Sequence, residues 1–371
     1  MSTRKKRVLF VTASLNLGGT ERQLFLLCNE LRDCFEIKIV SLNSQGPLFT
    51  RYQNELGGFE IIESSRMGVL GAFLKLRKVI ALHNPDVVVT WLYKADILGG
   101  IATKLTSKTP VIWSARNSEL PRFSKLKKLL LALLSKTIPN YVVANGSPAL
   151  SFHKTMGYPA RKLITIPNLI SPWTGYAKSN SQLLQQGRPL KCVRIGVASR
   201  QVSGKGILET IASLSNLPKN FPELELEIIG QTTSESIEWR RQGLYGNLKV
   251  KEVASDENLA QWFSNLDLYL MPSTSWESQP NSLIEAIAIG CPVLCSDKFA
   301  LDFDLPPNNL FDPLEANSLI VALLKIFDQS GSEVCESASQ LKLYIQQSNN
   351  GISTKNAWIS LIEMATTKEK V

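Results

Sequence analysis

Histidine is nearly absent from this chain, and the two copies it has lie far apart. Only His83 and His153 occur in 371 residues, and the six cysteines (Cys28, Cys34, Cys192, Cys291, Cys295, Cys335) form no Cys-x-x-Cys pair. Zinc sites and Cys–His nucleophile pairs need such residues gathered at short spacing, so neither is expected. Scattered thiols fit a reducing compartment, and the expected location is cytoplasmic. No apolar run approaches the roughly 18–20 residues of a membrane span. The run Val8–Val11 behind Arg4-Lys5-Lys6-Arg7 is too short for a leader peptide and reads as a strand. No Gly-x-Gly-x-x-Gly occurs, which removes the main support for a dehydrogenase-type dinucleotide loop. Aromatic residues are not interleaved with Lys and Arg in any cluster, so nucleic acid is not an expected partner. There is no short-period repeat.

What is present is an ordinary globular composition with a basic balance. Apolar residues make up 44% and charged residues 20%, enough apolar surface to exclude disorder as the main state. Lys and Arg number 41 against 32 Asp and Glu, a net +9. That excess leaves an anionic membrane surface or a phosphorylated small molecule as partners. Single cores stop growing near 250–300 residues, so this length predicts two domains.

The chain alternates short β-rich runs with amphipathic helical patterns, in two blocks. The first has strand-like runs at Val8–Ala13, Ile37–Leu42, Phe59–Ile62, Asp86–Trp91, Pro110–Trp113, Tyr141–Ala144 and Leu163–Ile166, with helices such as Val69–His83 and Lys125–Lys136 between them. The second restarts at Val193–Ala198 and ends with a helix at Ala316–Phe327 and a last amphipathic stretch at Thr354–Met364. Several runs are continuously apolar, as strands buried on both faces of a parallel sheet are. The expectation is α/β: two Rossmann-like doubly wound parallel-sheet domains facing each other across a cleft. The boundaries read 1–172, a polar linker at 173–190, and 191–350, with a C-terminal helix at about 352–371 returning to the first domain.

Ligands of such sheets sit at the carboxyl ends of strands beside helix N-termini, and three motifs fall there. In the first, a strand ends at Met271-Pro272, a polar loop carries Glu277, and Gln279-Pro280-Asn281-Ser282 opens a helix holding Glu285, before Gly290-Cys291-Pro292-Val293. Two carboxylates and a helix start are then in reach of one polyhydroxylated, phosphate-bearing ligand. The second, Ser199-Arg200-Gln201-Val202-Ser203-Gly204-Lys205-Gly206, places two cations beside a glycine turn, Arg as a fork and Lys as a point charge, a set suited to a pyrophosphate. The third, Gly18-Gly19-Thr20-Glu21-Arg22 after the first strand, lets the backbone approach a phosphate, with Glu21 and Arg22 also readable as plain helix-start charges.

Together these motifs resemble the retaining glycosyltransferases of family 4, which have the GT-B fold. The pattern Glu, seven residues, Glu-Ala, then Gly-x-Pro-Val is complete at Glu277–Val293, although Ser278-Gln279-Pro280 stands where Gly-Phe-Pro is usual. Ser199 replaces the Gly of the family's Gly-Arg-x-x-x-x-Lys-Gly, and the Gly18-Gly19 loop matches its Gly-Gly-x-Glu-Arg. Weaker matches run over nearly the whole chain. The resemblance implies that Glu277 contacts donor-sugar hydroxyls, that Glu285 holds the nucleotide ribose, and that Arg200 and Lys205 stabilise the departing diphosphate. It makes Glu277, Arg200 and Lys205 the catalytic set and Gly18, Gly19, Gln279, Pro280, Asn281, Ser282 and Glu285 the donor-binding set. Many members carry a His near the donor sugar where Arg116 and Asn117 stand here, so these two are candidate sugar-side contacts. The implied activity is retaining transfer of a sugar from a nucleotide-diphosphate donor to a cell-surface glycan or lipid-linked acceptor, with no cofactor and no tightly held metal. A nucleotide-sugar epimerase and a non-catalytic sugar or polyanion binder are the alternatives.

The stretch Arg122–Lys136 holds Leu126, Leu129, Leu130, Leu133 and Leu134 at helical spacing, flanked by Arg122, Lys125, Lys127, Lys128 and Lys136. It reads either as a helix packed on its own sheet or as one attracted to anionic lipid, which would make the protein peripheral on the inner membrane face.

Overall fold

Alternate residues of the first strand, β1 (Arg7–Thr12), feed two different cores. Val8 and Phe10 pack with α1 (Gly19–Leu31) through Leu24, Leu27 and Leu31, whereas Leu9 and Val11 pack with α2 (Ser64–His83) through Leu76 and Ile80. A run apolar at every position is therefore apolar because both faces of its sheet are covered. The computed structural model describes residues 4–15, 18–43, 53–55, 58–116, 125–170, 192–219, 221–246, 248–253, 258–300, 305–315, 317–329, 331–348 and 351–367.

Two compact units result, Met1–Leu169 with Gly351–Val371 and Ile170–Asn350. In the first, β1 is joined by β2 (Glu36–Ser41), β3 (Phe59–Ile61), β4 (Val87–Trp91), β5 (Val111–Ala115), β6 (Tyr141–Ala144) and β7 (Leu163–Thr165) in a parallel sheet of order β3-β2-β1-β4-β5-β6-β7. Helices α3 (Tyr93–Thr106), α4 (Lys125–Thr137) and α5 (Ser147–Thr155) complete its crossovers. In the second unit, β8 (Cys192–Ala198), α6 (Ile207–Leu214), β9 (Glu223–Ile229), α7 (Ser234–Arg241), β10 (Lys249–Val253), α8 (Leu259–Asn265) and β11 (Leu268–Met271) come first. There follow β12 (Glu277–Ser278), α9 (Asn281–Ile289), β13 (Val293–Ser296), β14 (Phe299–Ala300), β15 (Leu310–Phe311), α10 (Ser318–Asp328) and α11 (Gly331–Ser348). Its main sheet is parallel in the order β10-β9-β8-β11-β13-β15. Both units are thus the doubly wound α/β expected.

Each sheet winds outward one way and then reverses. The reversal falls between β1 and β4, with Thr12 beside Trp91, and between β8 and β11. A crevice opens at the carboxyl ends of strands where the order reverses, and that is where the loops after β1, β4, β8 and β11 stand.

The C-terminal helix α12 (Gly351–Thr367) belongs to the first unit. Trp358, Leu361, Ile362 and Ala365 join the α1 core, and the Trp358 ring meets that of Trp91 at 6.3 Å between centroids. Lys6 donates to Thr366 Oγ1 at 2.6 Å.

The structure revises several local readings. The backbone of α2 is non-helical at Gly68 (φ 68°, ψ 170°), so its regular part starts near Val69 as expected, and a separate turn at Ser64–Met67 precedes it. Helix α11 has no counterpart in the sequence reading. Its buried residues Val334, Ala338, Leu341 and Ile345 form a single file among Ser, Gln and Glu, and it spans both cores of its unit. Residues Glu277–Ser278, read as loop, form a short parallel ribbon with Phe299–Ala300. On α4, Leu131, Ala132 and Ser135 face the sheet, while Leu126, Leu129, Leu130 and Leu133 are 44–75% exposed. The helix does pack on its own sheet, through Leu131 with Leu134 beside it, but four of the five leucines of the expected stripe lie outside that contact. Arg122, Asn117 and the expected linker at 173–190 lie outside the described residues.

Candidate functional site

In the second unit two loops are held backbone to backbone. The chain leaves β8 at Ala198, and Ser199 N–H donates to the Ile229 carbonyl at 3.0 Å. Gly204 (φ 86°) offers its carbonyl to the N–H groups of Thr274 and Ser275, both at 3.1 Å. Gly206 (φ 71°) leads into α6, and a Cβ there would fall 1.8 Å from the Pro272 carbonyl oxygen. The two glycines of the motif thus serve both a left-handed backbone and a close approach to the loop after β11.

That approach brings Lys205 to Glu277. Lys205 Nζ donates to Glu277 Oε1, Ser273 Oγ donates to the same oxygen at 2.8 Å, and Ser296 Oγ donates to the Ser273 carbonyl at 2.6 Å. Both side chains of the pair remain about a quarter exposed (26% and 24%). Glu277 is fixed from the other side by its own N–H, which donates to the Lys298 carbonyl at 2.9 Å. Arg200, five residues before Lys205 on the same turn, is exposed, and its guanidinium makes no hydrogen bond or ion pair with the described residues.

Downstream of Glu277 the backbone is strained at one position. Gln279 is buried with φ 47°, a left-handed conformation costly for a residue with a side chain. Ser278, which replaces the family's glycine, has no positive φ and so needs no glycine. Pro280 precedes α9 with φ −64°, and Asn281 and Ser282 form the first helical positions. Ser282 Oγ accepts from the buried Tyr269 hydroxyl at 2.7 Å. Burial pushes the pKa of that hydroxyl up, opposed by its bond to Ser282 and reinforced by Cys295, Glu277 and Glu285. Both carboxylates are therefore near Tyr269, with Glu285 itself buried. The fold gathers Arg200, Lys205, Glu277, Gln279, Pro280, Asn281, Ser282 and Glu285 at the carboxyl ends of β8 and β11.

Beside them lies a polar network that the motifs do not reveal. Gln201, fully buried, donates from Nε2 to Glu252 Oε1 at 3.0 Å and accepts from the Tyr245 hydroxyl at 3.3 Å. Arg240 pairs with the same Glu252 carboxylate. The only sequence sign is that Gln201 adjoins Arg200.

In the first unit Gly18 and Gly19 stand at the start of α1. Gly18 is extended (φ −144°), a conformation open to any residue, and a Cβ there would lie 2.4 Å from Glu21 Oε2, the end of a side chain. Glu21 is buried and accepts from Ser14 Oγ at 2.8 Å. It therefore folds back over the glycine loop, and its reading as a plain surface charge at a helix start is corrected. Arg116 follows β5, donating from Nε to Ser114 Oγ at 2.7 Å and from Nη1 to Asn168 Oδ1 at 2.6 Å, its guanidinium 4.2 Å from the centroid of the Trp91 ring. Trp91 Nε1 in turn donates to the Thr20 carbonyl at 3.0 Å, which ties Arg116 to the Gly18-Gly19 turn.

His153 has no place in this site. A carbonyl only accepts, so the 2.6 Å contact to the Ala149 oxygen puts the proton on Nδ1, and Nε2 accepts from the Tyr93 hydroxyl at 2.8 Å. Burial lowers its pKa to about 4, and it is a neutral core residue. Among the described residues no three His, Cys, Asp or Glu side chains gather as a metal site. The sequence does contain one Asp-x-Asp, Asp302-Phe303-Asp304, which lies outside the described residues.

Residues 17–173 match the profile of Glycosyltransferase Family 4, and residues 184–302 match that of Glycosyl transferases group 1. Among curated relatives, Protein CapJ of Staphylococcus aureus is 31% identical over 142 residues, 37% of this chain and 35% of that protein. An alpha-1,4-N-acetyl-D-galactosaminyltransferase of Campylobacter jejuni, whose name specifies a GalNAc-containing diNAcBac-PP-undecaprenol substrate, is 30% identical over 120 residues, 30% of this chain and 33% of that protein. The chain thus spans about a third of the length of these curated relatives. The crystal structure of Anabaena HepE in complex with UDP and glucose superposes with a TM-score of 0.80 at 18% identity, covering 97% of this chain and all of the other. At that identity the likeness is one of fold.

Proposed function

Because the chain belongs to the GT-B glycosyltransferases of the family 4 type, we propose that it moves a hexose-type sugar, with retention, from a nucleotide-diphosphate donor to a cell-surface glycan or lipid-linked acceptor. The observation that carries this reading is the Lys205–Glu277 pair at the reversal of the second sheet, set beside Arg200, which has no partner among the described residues. Without ligand, Lys205 and Glu277 neutralise each other. A donor diphosphate offers Lys205 a doubly charged partner and releases Glu277 to accept from sugar hydroxyls, so one exchange of partners binds both halves of the donor. Arg200 grips the diphosphate as a fork.

During transfer the bond from the sugar C1 to the diphosphate oxygen breaks and a bond from C1 to the acceptor oxygen forms on the same face. The acceptor proton passes to the leaving diphosphate, whose growing charge Arg200 and Lys205 stabilise in place. Glu277 positions the sugar and does not attack it. Glu285, buried on α9, holds the ribose hydroxyls, and Gln279 to Ser282 line the donor side. No resident metal is required in this scheme.

A lipid-linked acceptor is supported by the Campylobacter relative, whose name includes an undecaprenol diphosphate. The exposed leucines of α4 and the adjoining Lys125, Lys127, Lys128 and Lys136 support attachment to an anionic membrane face. No helix among the described residues is long and apolar enough to cross a membrane.

The test is incubation with radiolabelled UDP- and GDP-sugars and a bacterial membrane lipid extract. Label moving to lipid or glycan supports the proposal. Conversion of the free nucleotide sugar, or binding without turnover, overturns it.

A further inference from the structure

Arg116 is a cation held in place without a counter-charge among the described residues. It is half-buried, and burial draws its pKa down to about 9. Its partners are a hydroxyl (Ser114), an amide oxygen (Asn168) and the face of Trp91, all neutral, and no carboxylate pairs with it among the described residues. A guanidinium shielded from water with only neutral partners is left with an unmet electrostatic cost. Of its five N–H donors, two are used by Ser114 and Asn168, and the rest have no partner among the described residues.

The supports are themselves rigid. Trp91 is the last residue of β4, fully buried and anchored to the Thr20 carbonyl. Asn168 is buried, and the next residue, Leu169, exchanges two hydrogen bonds of 2.8 Å with the Gln23 amide on α1. Arg116 thus stands at the carboxyl ends of β4, β5 and β7, beside the start of α1, where the reversal of the first sheet places a ligand. A surface arginine that merely paired with water would need none of these constraints.

We infer that Arg116 is a specificity-determining residue that receives an oxyanion, a carboxylate or phosphate, carried by the substrate bound on the first unit. The N–H groups of the guanidinium that have no partner among the described residues suit two parallel bonds to such a group. Two sources share this chemistry: a carboxylate on an acceptor sugar, as in a hexuronic acid, and a phosphate on the acceptor. The inference rests on the proposed transfer only for the identity of that substrate, because the anion preference is a property of binding.

The experiment reads the site directly. Full-length protein labelled with [15N]arginine gives side-chain N–H resonances, and Arg116→Lys identifies the one that belongs to Arg116. It is titrated with methyl glucuronide against methyl glucoside, and with octyl phosphate against octanol. The expected result is saturable movement of the Arg116 resonance by at least one anion and not by its neutral twin. Affinity for that anion should fall about tenfold or more in Arg116→Gln and less in Arg116→Lys, which keeps the charge. Movement with glucuronide assigns a carboxylate of an acceptor sugar, and movement with octyl phosphate assigns an acceptor phosphate. An Arg116 resonance indifferent to both anions, or Arg116→Gln and wild type binding them equally, overturns the inference. A protein that transfers neutral sugars with Arg116 indifferent fails here alone, and one that shows the preference without any transfer fails only as a transferase.

Discussion

A methyl group on Gly206 would lie 1.8 Å from the carbonyl oxygen of Pro272, closer than any real contact allows. The loop after β8 and the loop after β11 meet at that point with no side chain between them. The contact sets how far Lys205 reaches, and hence that it touches Glu277.

Gly206→Ala should therefore destabilise the protein by about 2–4 kcal/mol, from a left-handed backbone and an overlap with backbone that cannot rotate away. Gly243 has nearly the same φ (69°) with nothing within 4 Å, so Gly243→Ala should cost only about 1 kcal/mol. Urea unfolding of both variants checks the difference, and equal costs would contradict the crowding.

Lys205→Ala and Glu277→Gln should each lower kcat/KM for sugar transfer by about 100-fold. Since the two side chains touch, the double variant should lose much less than the product of the single losses. Additive losses, or transfer at the wild-type rate in either single variant, would remove the pair from the mechanism.

His153 should make stability depend on pH. Its pKa is about 4 in the fold against an ordinary 6.5, so the unfolded chain binds the proton more readily. This contribution is fully present above pH 6.5 and is lost as pH falls toward 4, by about 3 kcal/mol in all. Urea midpoints measured from pH 7 to pH 4 should fall more steeply for wild type than for His153→Gln.

Vesicles containing phosphatidylglycerol should carry the protein upward in a flotation gradient, and phosphatidylcholine vesicles should not. Leu129→Ser with Leu133→Ser removes exposed apolar area without touching the core, so flotation should be lost at unchanged Tm. Lys127→Glu reverses a charge and should weaken it by about 30-fold at low salt, given roughly 1 kcal/mol per unit of charge near the surface. Wild type that stays at the bottom with anionic vesicles ends the membrane proposal.

Treatment with EDTA should leave the transfer rate within about twofold, since the charge on the leaving diphosphate falls to Arg200 and Lys205. A rate that collapses and returns with Mg²⁺ would reverse this and direct attention to Asp302 and Asp304.

Much of the architecture was legible in the chain because it depends on local chemistry. Continuous apolar runs such as Val8–Val11 can be stable only in a sheet covered on both faces, and helical patterns between them dictate parallel crossovers. The glycines and charges at Gly18–Gly19, Ser199–Gly206 and Glu277–Glu285 then fall at strand ends, where ligands bind. Helix α11 stayed hidden because one file of four apolar residues, diluted by Ser and Gln, is a weak periodic signal.

What the sequence by itself determined is the inventory: which residues could bind a charged sugar nucleotide, and on which connections they stand. Only tertiary structure decided their partners, because partners come from loops dozens of residues apart. It gave Lys205 to Glu277 and left Arg200 without a partner among the described residues. It turned Glu21 inward onto Gly18 and set Arg116 on Trp91 with no acid to answer it among the described residues. On α4 it chose which face of an amphipathic helix meets the sheet, and left four leucines outside. Spacing along a helix shows that a stripe exists, but the packing of neighbours determines the side on which it lies.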